Sequence, residues 1–180
     1  PRGAYGMALG YALSTRGGCH LRAYPISHEI FRKPVATDRF SFSGKARIIK
    51  IAEDMNAIVD SLIACKFTFF AAGLEEYASI YEAVTGVETN AQDLLKKGER
   101  IYYNERIINA LNGFTAKDDD LPVRFFMEPG SSGNNILIPP IDRNEFLDAR
   151  KKYYGVRGLS TNGLPKKEKA ISLGLLWNNL

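Results

Sequence analysis

Gly44-Lys-Ala-Arg-Ile-Ile-Lys-Ile-Ala-Glu-Asp-Met-Asn-Ala-Ile-Val-Asp-Ser-Leu-Ile63 is the stretch that decides the fold. Ile48, Ile51, Met55, Ile58 and Leu62 recur at three- and four-residue steps. That spacing lays one continuous apolar stripe along a helix. Ile49, Ala52 and Val59 widen the stripe, so the helix is expected at the centre of its domain. Lys45, Arg47, Lys50, Glu53 and Asp54 are expected on its wetter side. Beyond it, Lys66 to Phe70 carries three phenylalanines and either extends the helix or turns away.

Outward from this element the pattern stays helical. Tyr5 to Ser14 is rich in Ala, Leu and Met, and Gly17-Gly18 is a helix stop. His20 to Ser43, with Pro25 and Pro34, reads as an irregular connection. Leu74 to Thr85 is a helix ended by Gly86. Asn90 is an N-cap with Asp93 in the first turn. The helix it opens runs to Leu111, with Leu94, Ile101, Ile108 and Leu111 on one face, and Gly113 stops it. The segment 118–140 holds Pro122, Pro129, Pro139, Pro140 and the turn-prone Gly130-Ser-Ser-Gly-Asn-Asn. It reads as a long Pro/Gly-rich surface loop with room for a short hairpin. Asp142 caps a helix to Tyr154 ended by Gly155, and Pro165 opens a last short helix ending at Gly174. No internal repeat or low-complexity linker is visible. The expected architecture is a single irregular all-α domain of about six helices.

Composition removes several classes of function. The 180 residues are 45% hydrophobic and 24% charged, which excludes disorder and collagen-like repeats. No apolar run reaches the roughly 18 residues that span a bilayer. No signal peptide is visible, so no membrane role is expected. The formal net charge of +4 permits an anionic ligand without demanding nucleic acid. Cys19 and Cys65 are too few for a disulfide scaffold, or to hold a zinc ion or iron–sulfur cluster unaided. A reduced, cytoplasmic protein is the expectation. The chain opens at Pro1 rather than methionine, which suggests a segment of something longer.

Three groups of polar residues draw attention. In Arg16-Gly-Gly-Cys-His-Leu-Arg22, two glycines permit close backbone approach to a ligand. His20 suits proton transfer near neutral pH, and Arg22 can fork onto phosphate or a planar heterocycle. A helix end followed by a surface turn explains the same segment more economically. In Asp60-Ser-Leu-Ile-Ala-Cys65, Asp60 is either a surface position or an anchor for a ligand's N–H groups. Cys65, among apolar neighbours, is expected by itself to be a buried, inert cysteine. The third group is Gly98-Glu-Arg100 with Arg106 and Asn109, followed by Asp118-Asp-Asp-Leu-Pro-Val-Arg124. Ion pairs fastening a loop to a helix are the favoured explanation there. Nothing supports a role for His28. These residues alone describe a helical domain with an anion-facing site near His20 and Asp60, and no reaction.

The ordered set of motifs goes further. Pro1-Arg-Gly and Arg16-Gly-Gly-Cys-His-Leu-Arg22 resemble the tungsten-containing aldehyde:ferredoxin oxidoreductase family. So do Asn56-Ala-Ile-Val-Asp-Ser-Leu-Ile-Ala-Cys-Lys-Phe67, Gly98-Glu-Arg-Ile-Tyr, Gly113-Phe-Thr-Ala-Lys-Asp-Asp119 and Leu121-Pro-Val-Arg124. Gly155-Val-Arg-Gly, Asn162-Gly-Leu-Pro and Lys167-Glu-Lys with Leu173-Gly-Leu175 complete the series. The resemblance covers the whole chain in the family's order.

What it implies is concrete. Residues 1–180 would be the C-terminal, third domain of a longer enzyme, packed on N-terminal and middle domains of the same chain. That enzyme would oxidise aldehydes to carboxylic acids with ferredoxin as electron acceptor. Its cofactors would be a tungsten (or molybdenum) bis-pterin and a [4Fe-4S] cluster, both absent from the isolated domain, which is expected to be inactive. His20 matches the family's proton-transfer or substrate-polarising histidine. Arg22 falls where a basic residue contacts the pterin. Asp60 matches the carboxylate that accepts from pterin N–H groups. Ala64 lies where the backbone passes the pterin, and Cys65 matches the fourth cluster ligand.

One departure stands out. The family's Gly-Leu before the cysteine is Ile63-Ala64 here. Glycine there would permit a positive φ, which isoleucine strongly resists. Either the local path stays helical or the backbone's approach to the pterin is altered. That departure also keeps open an alternative, a non-catalytic helical binding module derived from the same fold.

Overall fold

The computed structural model describes residues 1–132 and 136–176. The expected turn at 133–135 lies outside them. Eight α-helices, a short 3₁₀ turn and one small hairpin are present among the described residues, in accord with an all-α domain.

The helices are α1 (Tyr5–Leu13), α2 (Ile26–Glu29), α3 (Lys45–Ser61), α4 (Leu74–Thr85), α5 (Ala91–Leu111), α6 (Arg124–Met127), α7 (Arg143–Arg157) and α8 (Lys167–Ser172). The 3₁₀ turn is Lys66–Phe70, so that aromatic stretch turns away from α3. Strands β1 (Gly130–Ser132) and β2 (Ile136–Ile138) pair antiparallel, with Gly130 opposite Ile138. Two one-turn helices, α2 and α6, account for the excess over the expected number. Both lie in segments read as irregular, because a single turn has no periodicity to detect.

Several boundaries follow from local chemistry. Asn90 Oδ1 accepts from the Asp93 amide at 2.9 Å, and the Asp93 carboxylate accepts from the Asn90 amide, a reciprocal cap. Asp142 Oδ1 accepts from the amides of Asn144 and Glu145. Helix α4 stops at Gly86, as expected. Helix α7 runs past Gly155 and stops at Gly158, the residue that takes φ 78°. Pro165 precedes α8 by one further residue.

Helix α3 is central, packed by α1, α5 and α7. Its buried face differs from the expected stripe. Ile51 and Leu62 are exposed, whereas Lys45, Glu53 and Asp54 are completely buried. The reason is partnership. Lys45 Nζ meets Glu29 Oε1 at 2.9 Å. Glu29 also accepts from the amides of Gly6 and Met7, at 2.7 and 3.2 Å, so it caps the N-terminus of α1, which has no cap of its own. Arg157 of α7 spans Glu53 at 2.6 Å and Asp54 at 2.5 Å. Tyr102 and Tyr153 donate their hydroxyls to Glu53 at 2.8 and 2.6 Å. Buried charges of this kind persist only when paired and hydrogen-bonded.

Helix α5 crosses α3 at Gly98. A Cβ there would stand 2.1 Å from the Asp54 carbonyl oxygen, so only glycine permits this separation. The buried face of α5 is Leu94, Gly98, Tyr102, Tyr103, Arg106 and Ile107, while Ile108 and Leu111 of the expected face are exposed. The main core gathers α1, α3, α5, α7 and α8 around Leu9, Leu13, Ile49, Tyr103, Phe146 and Tyr153. A smaller cluster of Ile58, Leu74, Ala78 and Leu94 seats α4.

Candidate functional site

The segment Arg16–Arg22 leaves the end of α1 and runs alongside the end of α3. Gly17 adopts φ 79°, and the Cys19 amide donates to the Gly17 carbonyl, closing a tight turn. His20 is exposed and, among the described residues, makes no hydrogen bond or ion pair. Cys19 is half-buried, with Arg16 Nη2 at 3.5 Å from its sulfur.

The end of α3 presents Asp60 and Cys65. The Ala64 amide donates to the Val59 carbonyl at 3.0 Å and the Ile63 amide to the Asp60 carbonyl at 3.2 Å. This is the Schellman pattern of helix termination, with Ile63 in the position usually taken by glycine. Ile63 adopts φ 56° and is 95% exposed. The path therefore leaves the helix, and the turn that glycine favours is retained with isoleucine in it. It reverses the chain so that Cys65, just before the 3₁₀ turn, is exposed. The expectation of a buried cysteine, drawn from its apolar neighbours, fails because those neighbours are past the helix end and face outward.

The two segments are stitched together. Arg22 Nη1 donates to Asp60 Oδ2 at 2.9 Å, and Lys66 Nζ to the same oxygen at 3.0 Å and to the Leu21 carbonyl at 2.9 Å. Arg16 Nη2 lies 3.9 Å from that oxygen. Asp60 Oδ1 meets no donor among the described residues. Burial lowers the pKa of Lys66 against the opposing pull of Asp60. Arg22 is only 2% exposed; its other terminal nitrogen pairs with Glu105, and its buried Nε has no hydrogen-bond partner among the described residues. Its guanidinium lies over the Tyr102 ring, 5.3 Å from the centroid.

Arg16, Arg22, Asp60, Ala64 and Cys65 thus share one edge of the domain with the His20 loop. Sequence reasoning missed Lys66, quoted only as part of a motif, and Glu105. A lysine after a cysteine and a glutamate on a helix carry no signal until their partners are known. Part of the third polar group forms the favoured ion pairs that fasten a loop to a helix. Arg106 forks onto Asp119 at 2.7 and 2.6 Å, Tyr154 donates to Asp119 at 2.8 Å, and Arg143 holds Asp120. An open cleft of about 720 Å³ lies beside this group, between Tyr11, Gly17-Gly18, Phe114 and Phe125.

No cluster of three or more His, Cys, Asp or Glu side chains fit to bind a metal occurs among the described residues. The edge offers the exposed Cys65 thiol and the Asp60 Oδ1, which has no donor among the described residues. That set fits a cofactor completed by groups from elsewhere. No helix among the described residues is long and apolar enough to cross a membrane.

The family model described as aldehyde ferredoxin oxidoreductase, domains 2 and 3, matches residues 1–175. The chain is 39% identical over 177 residues to a tungsten-containing aldehyde ferredoxin oxidoreductase of Pyrococcus furiosus, covering 97% of this chain and 29% of that protein. It is 38% identical to the corresponding protein of Thermococcus kodakarensis, with the same coverage. A more distant relative, 28% identical, is the WOR-like subunit of an aliphatic sulfonate oxidoreductase of Pyrococcus furiosus, covering 95% of this chain and 25% of that protein. The chain therefore spans under a third of the length of these curated relatives. Among solved structures, the active-site complex BamBC of benzoyl coenzyme A reductase with 1,5-dienoyl-CoA shares the fold. Its TM-score is 0.59 at 20% identity, over 82% of this chain and 21% of that one.

Proposed function

Because the chain belongs to the aldehyde ferredoxin oxidoreductase family, we propose that residues 1–180 form the C-terminal helical domain of a tungstopterin enzyme that oxidises aldehydes to carboxylic acids. The observation that carries this reading is the stitched edge. Arg22 and Lys66 join the His20 loop to the turn that bears Asp60 and Cys65. These contacts support the reading, because they join the two segments that carry the proposed cofactor residues.

Within that reading, Asp60 holds ring N–H donors of one pterin through its unengaged oxygen. Cys65 is the cluster ligand that completes three cysteines of the middle domain. Ala64 brings backbone close to the pterin. Arg16, Arg22 and Lys66 outnumber Asp60 and Glu105 at this edge, a balance suited to an anionic cofactor. His20 handles a proton beside the reacting aldehyde. When bound, the metallopterin and cluster supply the oxidation and the onward transfer of electrons to ferredoxin. Arg22 is buried and held at both ends, so it sets the shape and charge of the site more than it reaches outward.

The test uses the full-length protein purified without oxygen. His20→Ala should lower turnover with tungsten still bound, and Cys65→Ser should abolish or destabilise the cluster signal. An unchanged cluster spectrum in the second variant sinks the ligand assignment. A wild-type protein that binds neither tungsten nor iron would instead support the non-catalytic module.

A further inference from the structure

The face of α5 that carries Tyr102, Glu105 and Asn109 lies against the segment Leu13–Arg22. These residues stand three and seven positions apart, on one side of a helix. Each makes a specific bond. The Tyr102 hydroxyl, whose single proton Glu53 and the Leu13 carbonyl share, lies 2.9 Å from that carbonyl, where the segment begins. Asn109 Nδ2 donates to the Thr15 carbonyl at 2.9 Å. Glu105 Oε2 accepts from the Thr15 hydroxyl at 2.6 Å and also from Arg22, where the segment ends. Between these anchors, His20 has no side-chain tether among the described residues.

We propose that Glu105 and Asn109 are positioning residues that set the place of His20 by holding both flanks of its loop. The inference rests on the reading of His20 as the proton-handling group. The physical reason is geometric. A side chain that makes no hydrogen bond or ion pair among the described residues takes its position chiefly from its backbone. A loop of Arg, two Gly, Cys and His has little stiffness between its ends. Glu105 is the stronger anchor, because one carboxylate oxygen serves both flanks and faces the buried Arg22 guanidinium. Asn109 is neutral and holds only the near flank. Arg106, between them in sequence, faces away to Asp119.

The test compares Glu105→Gln, Asn109→Ala, His20→Ala and the pair His20→Ala with Glu105→Gln, all in the full-length enzyme. Hydrogen–deuterium exchange should rise in the peptide covering 15–22 in both anchor variants while that of α7 stays unchanged. Glu105→Gln should lower kcat for aldehyde oxidation about tenfold with KM nearly constant, the signature of lost orientation. Its pH profile should lose or shift the limb that His20→Ala removes. The paired variant should be no slower than His20→Ala alone. Unaltered exchange at 15–22, exchange raised throughout the molecule, or additive losses in the pair would each overturn the proposal. Should His20→Ala retain full activity, the reading of His20 fails, and the exchange data still decide whether α5 positions the loop.

Discussion

Replacing Ile63 by glycine should stabilise the protein. Ile63 holds φ 56° at the end of α3, a conformation that costs an L-residue about 1–2 kcal/mol and a β-branched one the most. Its side chain is 95% exposed, so its removal uncovers no core. The two backbone bonds of the turn, Ala64 to Val59 and Ile63 to Asp60, do not involve the side chain and persist. Against the relief stands the greater freedom of glycine in the unfolded chain, roughly 0.5–1 kcal/mol. The balance is a gain of about 0.5–1 kcal/mol. For a chain of this size that is a rise in Tm of about 1–4 °C. Denaturant and thermal unfolding of Ile63→Gly, with Ile63→Val as control, measure it. Valine keeps the β-branch and should change nothing. If glycine leaves Tm unchanged or lowers it, the strain argument is wrong. If valine stabilises as much as glycine, the effect comes from exposed apolar surface and not from the backbone.

Other perturbations probe the core and its charges. Gly98→Ala places a methyl 2.1 Å from the Asp54 carbonyl oxygen and must push α5 from α3, so a loss of about 3 kcal/mol or failure to fold is expected in denaturant melts. Arg157→Met leaves the buried Glu53 carboxylate without a cation and Asp54 with Lys50 alone, and should cost about 3–5 kcal/mol, with partial recovery when Glu53→Leu and Asp54→Asn are added. Stability should also depend on pH in two opposed ways. Burial raises the Glu99 and Asp120 carboxyls, but their Lys169, Lys50 and Arg143 partners outweigh it and hold them below their ordinary 4.5 and 3.8, so the unfolded chain binds more protons and their stabilisation is lost as pH falls through this range. Burial pushes the Glu53 carboxyl up to about 7 against the pull of Arg157, so its contribution is present below 4.5 and fades as pH rises to about 7. Unfolding midpoints against pH should peak on the mildly acidic side, and a maximum above pH 8 would contradict this assignment.

The sequence by itself determined the helical class, most helix ends and the family. These depend on local rules and on ordered motifs. Gly86 ends α4 and Asn90 opens α5 because caps act within one turn, and the residues needed are adjacent in the chain. It also located both halves of the candidate site, since motif order survives without coordinates. Only the tertiary structure decided which charges are buried. Lys45, Glu53 and Asp54 read as a wet helix face until Glu29 and Arg157, from distant positions, arrive to neutralise them. The same holds for the exposure of Cys65 and the bonds of Glu105 to Thr15 and Arg22. Periodicity assumes that a charge seeks water, and a partner far along the chain removes that reason. Ile63 gives the converse case. Its side chain argues against a positive φ, yet the helix must end before Cys65, and the closing hydrogen bonds of that turn outweigh the local preference.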